Sequence, residues 1–331
     1  MSEGKDFLAH CVVLRKTMEN KKIEVDVIIP VYRPGKEFEK LLEKLSKQSF
    51  PVNKIILMNT GEKPWMENAE EKYPLCEIHF LKKEDFDHGG TRHLGTTFSN
   101  ADYLLFMTQD AVPQDEKLVE CLVKSFEKDP LIKAAYARQL PNEECREIEK
   151  YTRSFNYPET SRVKSLEDLN TLGIKTFFCS NVCAMYEKKT YDGLGGFIRR
   201  TIFNEDMIYA GGLVKNGYKI AYAAEAKVIH SHNYNAKEQF HRNFDLAVSQ
   251  TDHPEVFAGI RSEKEGIRLV LNTAKHLWKV KKPWLLFPLV TTSAGKILGY
   301  KFGQNYHRLS EHFILKCTMN PSYWRKENEK K

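Results

Sequence analysis

Two stretches gather side chains that could do chemistry. Asp87-His88-Gly89-Gly90-Thr91-Arg92-His93 packs two glycines, an arginine and two histidines into seven residues, and Thr108-Gln109-Asp110 follows directly on the apolar run Tyr103 to Met107. A run this short and apolar, bounded by polar residues, reads as a strand buried in a sheet. Open α/β sheets bind ligands at the carboxyl ends of their strands, so Asp110 stands where a site belongs. A carboxylate there suits a divalent cation, and a cation suits a phosphorylated ligand. Glycines let a backbone approach a ligand closely, and arginine makes bidentate forks with phosphate. The plainer alternative is a tight turn before a surface helix, with Asp110 near a helix cap.

Further on, Phe203-Asn204-Glu205-Asp206 opens a helix that stops at about Asn216-Gly217. Acidic residues in a first turn favour the helix macrodipole, which by itself accounts for Glu205 and Asp206. The strand-like run Tyr218 to Ile229 ends in His230-Ser231-His232. Histidines two apart on a strand share a face, and two imidazoles at the end of an element are candidate metal ligands, with a plain surface pair as the alternative. The seven cysteines are scattered, and no second pair completes zinc spacing with Cys179 and Cys183. They read as free thiols in a reducing cytoplasm.

The elements that must position these groups alternate along the chain. Val25 to Val31 is a strand ending in Tyr32-Arg33-Pro34-Gly35. Phe38, Leu41, Leu42 and Leu45 form the stripe of an amphipathic helix, and Ile55 to Met58 and Ile78 to Leu81 are further strands. This alternation predicts an α/β fold with a parallel sheet covered on both faces. A helix over Gln114 to Lys128, a strand over Ile132 to Ala137, a loop over Arg153 to Pro158 and a strand over Phe177 to Asn181 are expected next. Polar strand ends cluster at one edge: Pro30 to Arg33, Asn59-Thr60, Asp85 to Arg92, and Asp110. No GxGxxG and no Walker motif is present, so neither a dinucleotide fold nor a P-loop enzyme is indicated. The 331 residues carry a net charge of +7, which favours anionic partners, but no nucleic-acid module is recognisable. No run reaches the ~20 apolar residues of a membrane span, and the charged N-terminus lacks a signal peptide's apolar core.

The order of these motifs resembles that of the family 2 inverting glycosyltransferases of the GT-A fold, and more narrowly the bacterial rhamnosyltransferases that use dTDP-L-rhamnose. The stretches carrying the resemblance are Phe86 to Arg92, Thr108 to Pro113, Arg138-Gln139-Leu140-Pro141, Phe155-Asn156-Tyr157-Pro158 and Val228 to Tyr234, within roughly residues 24 to 245. The resemblance implies a GT-A, mostly parallel sheet flanked by helices, a nucleotide-sugar donor, a lipid-linked or oligosaccharide acceptor, and a divalent ion (Mg²⁺ or Mn²⁺). It implies Asp206 as the general base, with Glu205 as the fallback. Asp110 becomes the metal ligand, and His230 or His232 completes the coordination or touches the phosphates. Pro30, Tyr32, Asn59, Thr60, Asp87, His88, Arg92, Thr108 and Gln109 fall to the donor, and Arg138, Gln139 and Asn181 to the sugar and acceptor. One departure stands out: many GT-A enzymes carry DxD where this chain has Thr108-Gln109-Asp110. Another donor such as a UDP-hexose, or an inactive nucleotide-sugar-binding scaffold, stays open as an alternative.

Residues 1–22 read as a polar arm, 23–250 as the catalytic domain and 251–331 as a helical, basic extension. In the extension Lys275, Lys279, Lys281 and Lys282 precede Trp284 to Val290, an apolar stretch interrupted by Pro288. Basic residues beside Trp, Leu and Phe suit a helix lying on an anionic bilayer, and packing against the catalytic domain is the alternative. The expected location is cytoplasmic, peripheral at the inner face of the cell membrane. From about residue 319 a frayed, charged tail is expected.

Overall fold

The computed structural model describes residues 22–260 and 263–328, so the expected arm over 1–22 lies outside the described residues apart from Lys22. The strands are β1 (Val25–Val31), β2 (Lys54–Thr60), β3 (Cys76–Leu81), β4 (Tyr103–Met107), β5 (Val112–Pro113), β6 (Ile132–Leu140), β7 (Arg162–Lys164), β8 (Cys183–Glu187) and β9 (Lys219–Ile229). They form one sheet in the order β3-β2-β1-β4-β8-β6-β9-β5, with β7 also on β9. From β3 to β4 all neighbours are parallel. Beyond β4 the sheet is mixed: β8 inserts antiparallel between β4 and β6, β6 and β9 are parallel, and β5 and β7 run antiparallel to β9.

The longer helices are α1 (Lys36–Leu45), α2 (His88–Thr96), α3 (Leu118–Glu127), α4 (Glu147–Asn156), α5 (Glu205–Lys215), α6 (Ala236–Asp252), α7 (Glu263–Lys279), α8 (Leu286–Gln304), α9 (Glu311–Cys317) and α10 (Pro321–Asn328). Strand periodicity divides the apolar residues between two layers. Val27, Ile29, Val31, Leu105 and Met107 face α1 and α3 through Phe38, Leu41, Leu42, Leu45, Leu118 and Leu122. Ile28, Leu104 and Phe106 face the other way, onto Tyr191, Phe197, Tyr209 and Leu213. Burial on both faces is why β1 and β4 read as continuous apolar runs.

Several expected elements differ. The helix expected from Gln114 starts at Leu118, because Val112–Pro113 is drawn into the sheet on Ile229 and Val228 and the Gln114 N–H donates to the Lys227 carbonyl at 3.0 Å. Phe177 to Asn181 is no strand: a 3₁₀ turn covers Gly173–Phe177, and Phe177 is apolar because it packs in the second core layer. Arg153 to Asn156 closes α4 rather than forming a loop; that helix buries no residue fully. Pro288 does not interrupt the apolar stretch. It sits in the first turn of α8, where its missing N–H has no intrahelical partner to lose. The expected frayed tail is replaced over Pro321–Asn328 by α10, whose Trp324 is buried in a third apolar cluster with Ile202, Phe244, Val248, Ile314 and Cys317, and residues 329–331 lie outside the described residues.

Candidate active site

The polar ends of β1, β2 and β4 meet at one edge as expected. Gln109 ties two of them together: its Oε1 accepts from the Tyr32 N–H at 2.8 Å and its Nε2 donates to the Tyr32 carbonyl at 3.1 Å. Pro30 and Val31 lie in register with Met58 and Asn59, which sets Asn59 and Thr60 beside Tyr32. The Tyr32 ring is exposed, with Arg33 and Lys83 over it at 5.3 and 5.7 Å. The Thr108 hydroxyl is buried and, among the described residues, has no hydrogen-bond partner.

Asp110 meets both histidines from the end of β9. Its Oδ2 lies 3.3 Å from His232 Nε2 and 3.5 Å from His230 Nε2, and the three groups offer ligand atoms within 4.8 Å of one another. The neighbour of His230 decides its tautomer. Gln139 Oε1 already accepts from the Arg153 guanidinium, and Gln139 Nε2 donates to Ser180 Oγ at 3.1 Å. Nδ1 of His230, 3.1 Å from the same Oε1, must therefore carry the proton, leaving the Nε2 lone pair facing Asp110. Burial outweighs the Asp110 charge and brings His230 down to about 3, and it lowers His232 as well. Neutral imidazoles beside a carboxylate are a donor set that fits a divalent ion. Two nitrogens in the set favour Mn²⁺ over Mg²⁺.

The second cluster joins α2 to α5. Asp87 caps α2, its Oδ1 accepting from the N–H groups of Gly89 and Gly90 at 3.0 and 2.7 Å and its Oδ2 from Thr201 at 3.3 Å. The glycines serve a close approach, but to the protein's own backbone: a Cβ on Gly89 would collide with the Ile198 carbonyl, and one on Gly90 with the Arg199 carbonyl at 2.6 Å. Arg92, expected to fork onto phosphate, is buried. Its Nη1 lies 3.1 Å from Glu205 Oε1 and donates to the His88 carbonyl at 2.9 Å. Glu205 Oε1 also accepts from Asn181 Nδ2 at 3.2 Å, and Tyr186 donates to Asn181 Oδ1 at 3.0 Å, which fixes that amide's orientation.

Asp206 is only partly covered. Its Oδ2 accepts from the Asn181 N–H at 3.0 Å and its Oδ1 from the Met207 N–H at 2.8 Å. The helix dipole alone would keep it ionised well below neutrality. Burial, with the Glu205 charge next to it, instead pushes it up to about 7, while Arg92 holds Glu205 below the usual carboxylate range. The two clusters are continuous: Asp110 faces His230, His230 bonds Gln139, Gln139 bonds Ser180, and the next residue, Asn181, holds both Glu205 and Asp206. Arg138 is left out. Strand alternation turns it away from Gln139, and it pairs with the exposed Glu159 at 3.0 Å.

Sequence reasoning missed Arg153 and Arg242. Arg242, on α6, lies over the Phe203 and Tyr234 rings at 4.7 and 5.8 Å, and its charge opposes protonation of His88, His230 and His232. Among the described residues no carboxylate pairs with it. A lone arginine in an amphipathic helix carries no signal in sequence.

Among solved structures, the mannosyltransferase PcManGT from Pyrobaculum calidifontis, in complex with GDP-Man and Mn²⁺, is similar with a TM-score of 0.54 at 13% identity, covering 94% of this chain and 87% of that one. TarS 1–349 of S. aureus, in complex with UDP-GlcNAc, is similar with a TM-score of 0.51 at 14% identity, covering 86% and 92%. These show the fold, which is that of the GT-A glycosyltransferases. In sequence the chain is 37% identical over 312 residues to the O-antigen chain rhamnosyltransferase RfbN of Salmonella typhimurium, covering 91% of this chain and 96% of the relative. It is 34% identical over 303 residues to the O-antigen chain rhamnosyltransferase WbaN of Salmonella anatum, covering 90% and 95%. The family model of glycosyl transferase family 2 matches residues 26–195, the span that runs from β1 through Asp110 to just past β8, and with relatives aligned almost from end to end the chain belongs to that family of glycosyltransferases.

Proposed function

We propose that the protein transfers L-rhamnose from dTDP-L-rhamnose, with inversion, to a hydroxyl of a lipid-linked saccharide in the synthesis of a cell-surface polysaccharide. The observation that carries this reading is the pairing of two sites joined through His230, Gln139, Ser180 and Asn181: a cation-type cluster at Asp110 and a raised carboxyl at Asp206. The two relatives named as rhamnosyltransferases support the choice of sugar.

Asp206 takes the proton from the acceptor hydroxyl as its oxygen attacks the anomeric carbon, and the bond to the nucleoside diphosphate breaks on the opposite side. A base with a pKa near 7 balances the fraction ionised against basicity. Asp110, His230 and His232 would hold a divalent ion, which when bound would supply charge stabilisation to the departing diphosphate. Arg242, without a carboxylate of its own, holds diphosphate oxygens in fork geometry. Tyr32, Asn59 and Thr60 border the nucleoside, and the buried Thr108 hydroxyl is free to bond the donor sugar. Arg92 acts through Glu205, setting the charge beside Asp206 rather than touching the donor. Residues 23–250 carry this chemistry and residues 251–331 form an appended helical region. The reaction runs on the cytoplasmic side of the cell membrane; the six described cysteines, all free, agree with a reducing compartment.

The test is incubation with dTDP-rhamnose and lipid-linked acceptors, read by mass spectrometry for a product heavier by one deoxyhexose. Thermal shifts by dTDP-rhamnose set against UDP-sugars separate the donors. A shift with UDP-hexoses alone, and no deoxyhexose product, would overturn the reading.

A further inference from the structure

Helices α7 and α8 form a hairpin with two unlike sides. The inner side is built for protein contact. Gly295, Gly299 and Gly303 recur every fourth residue of α8, and a Cβ on any of them would collide with the carbonyl of Ala236, Phe240 or Phe244 on α6. On α7, His276 bonds Glu147 of α4 at 2.9 Å and stacks on Tyr151, and Lys282, just beyond, reaches Glu147 at 2.7 Å. The hairpin is thus docked along one side, as the packing alternative requires.

The outer side has no cover from the described residues. Phe287, Val290, Ile297 and Leu298 form one stripe of α8, and Phe287 is 77% exposed. Ile267, Leu271 and Trp278 form the matching stripe of α7, and Trp284 stands exposed at the corner between the helices. Apolar surface this continuous on a charged protein marks an interaction site. The charges around it indicate what covers it. Residues 266–310 hold eight lysines and arginines and no aspartate or glutamate. Glu147 and Glu149 of α4 face this hairpin and Glu265 stands in the first turn of α7, and all three are paired already, with Lys282, Arg153 and Lys175. Lys275, Lys279, Lys281 and Lys301 are exposed and, among the described residues, enter no ion pair. A second copy of the chain would bring an equally cationic face against this one, which like charge opposes.

We infer that the outer face of the α7–α8 hairpin docks on an anionic lipid bilayer, with Trp284, Phe287 and Val290 entering the headgroup boundary and the lysines meeting lipid phosphates. The hairpin lies on the membrane without crossing it: no helix among the described residues is long and apolar enough to span. A cationic helix with aromatic and aliphatic residues on its free face has the composition of an interfacial anchor. The surface is defined by its own residues, so this inference stands or falls apart from the identity of the sugar.

Full-length protein is sedimented with vesicles of phosphatidylglycerol and phosphatidylethanolamine, and separately with phosphatidylcholine alone. Wild type should sediment with the anionic vesicles, less as salt rises because the lysines act through a screened field. Its tryptophan emission should shift to the blue, and Trp284→Phe should lose part of that shift. Phe287→Glu with Val290→Glu, both at exposed positions that leave the core untouched, should lower partitioning by roughly tenfold or more. Lys275→Glu with Lys279→Glu and Lys281→Glu should do so as well. The inference is overturned if wild type stays in the supernatant at low salt, or if the Phe287/Val290 variant sediments as well as wild type. A dimer seen by sedimentation velocity without lipid, and dispersed by Phe287→Glu, would also overturn it, making the face an interface between copies.

Discussion

Asp206 meets two opposing demands, and its neighbours set the balance. It must be ionised to accept a proton, yet burial and Glu205 hold its pKa at about 7. If it is the base, kcat/KM should climb with pH up to about 7 and then level. Asp206→Asn should cost at least ~10²-fold in turnover while donor affinity stays within a few-fold. Glu205→Gln should cost less turnover and move the acidic limb to lower pH, because it removes the charge that raises Asp206 and leaves Arg92 to lower it. That substitution also strands a buried guanidinium, so a stability loss on the order of 3–5 kcal/mol should show in denaturation. Near-normal turnover in Asp206→Asn would place the base elsewhere. Asp110→Asn belongs to the other end of the site. Calorimetry should show weaker donor binding in Mn²⁺, with EDTA having the same effect on wild type and little on the variant; donor affinity unchanged by both would remove the metal from the mechanism.

Elements are held to one another by contacts that sequence patterns hide. The glycine stripe of α8 lets two helices meet at backbone distance, so Gly299→Ala must push α8 off α6. Overpacking of this kind costs about 1–3 kcal/mol, which a shift in denaturation midpoint at constant slope would register. Asp245 joins α6 to the turn before α10, accepting from the Thr318 hydroxyl at 2.6 Å and the Met319 N–H at 2.9 Å. Burial raises it from 3.8 to about 7. A carboxyl raised in the folded state stabilises fully only below its ordinary pKa, and that contribution is lost as pH rises through about 7. Asp245→Asn, which copies the neutral acid, should flatten this fall between pH 4 and 8 in thermal melts. An unchanged slope would show that Asp245 does not cause it.

For the molecule as a whole, the C-terminal helices brace the catalytic edge instead of trailing from it. Trp324 and Ile314 pack with Ile202, four residues before Asp206. Truncation after Asn305 should therefore lower transfer and melting temperature together while sparing the sheet's far-ultraviolet dichroism signal. A truncated chain with full activity would show that the base needs no such brace.

Periodicity was enough for the first half of the fold and for α5 and β9, because strands buried on both faces and helices with one apolar stripe leave unmistakable patterns. It was enough, too, to pair His230 with His232, since strand geometry puts residues two apart on one side. It could not show α4, which buries no residue fully, nor the strand at Val112–Pro113, which exists only because β9 offers it partners 115 residues later in the chain. Nor could sequence say that Arg92 serves Glu205, that Gly89 and Gly90 clear space for Ile198 and Arg199, or that Arg242 overlooks the histidines. Residue types and spacings determined which groups were capable of chemistry and which local elements carried them. Burial and distance across the chain decided which charge each group would face, and therefore which residues were left free to act.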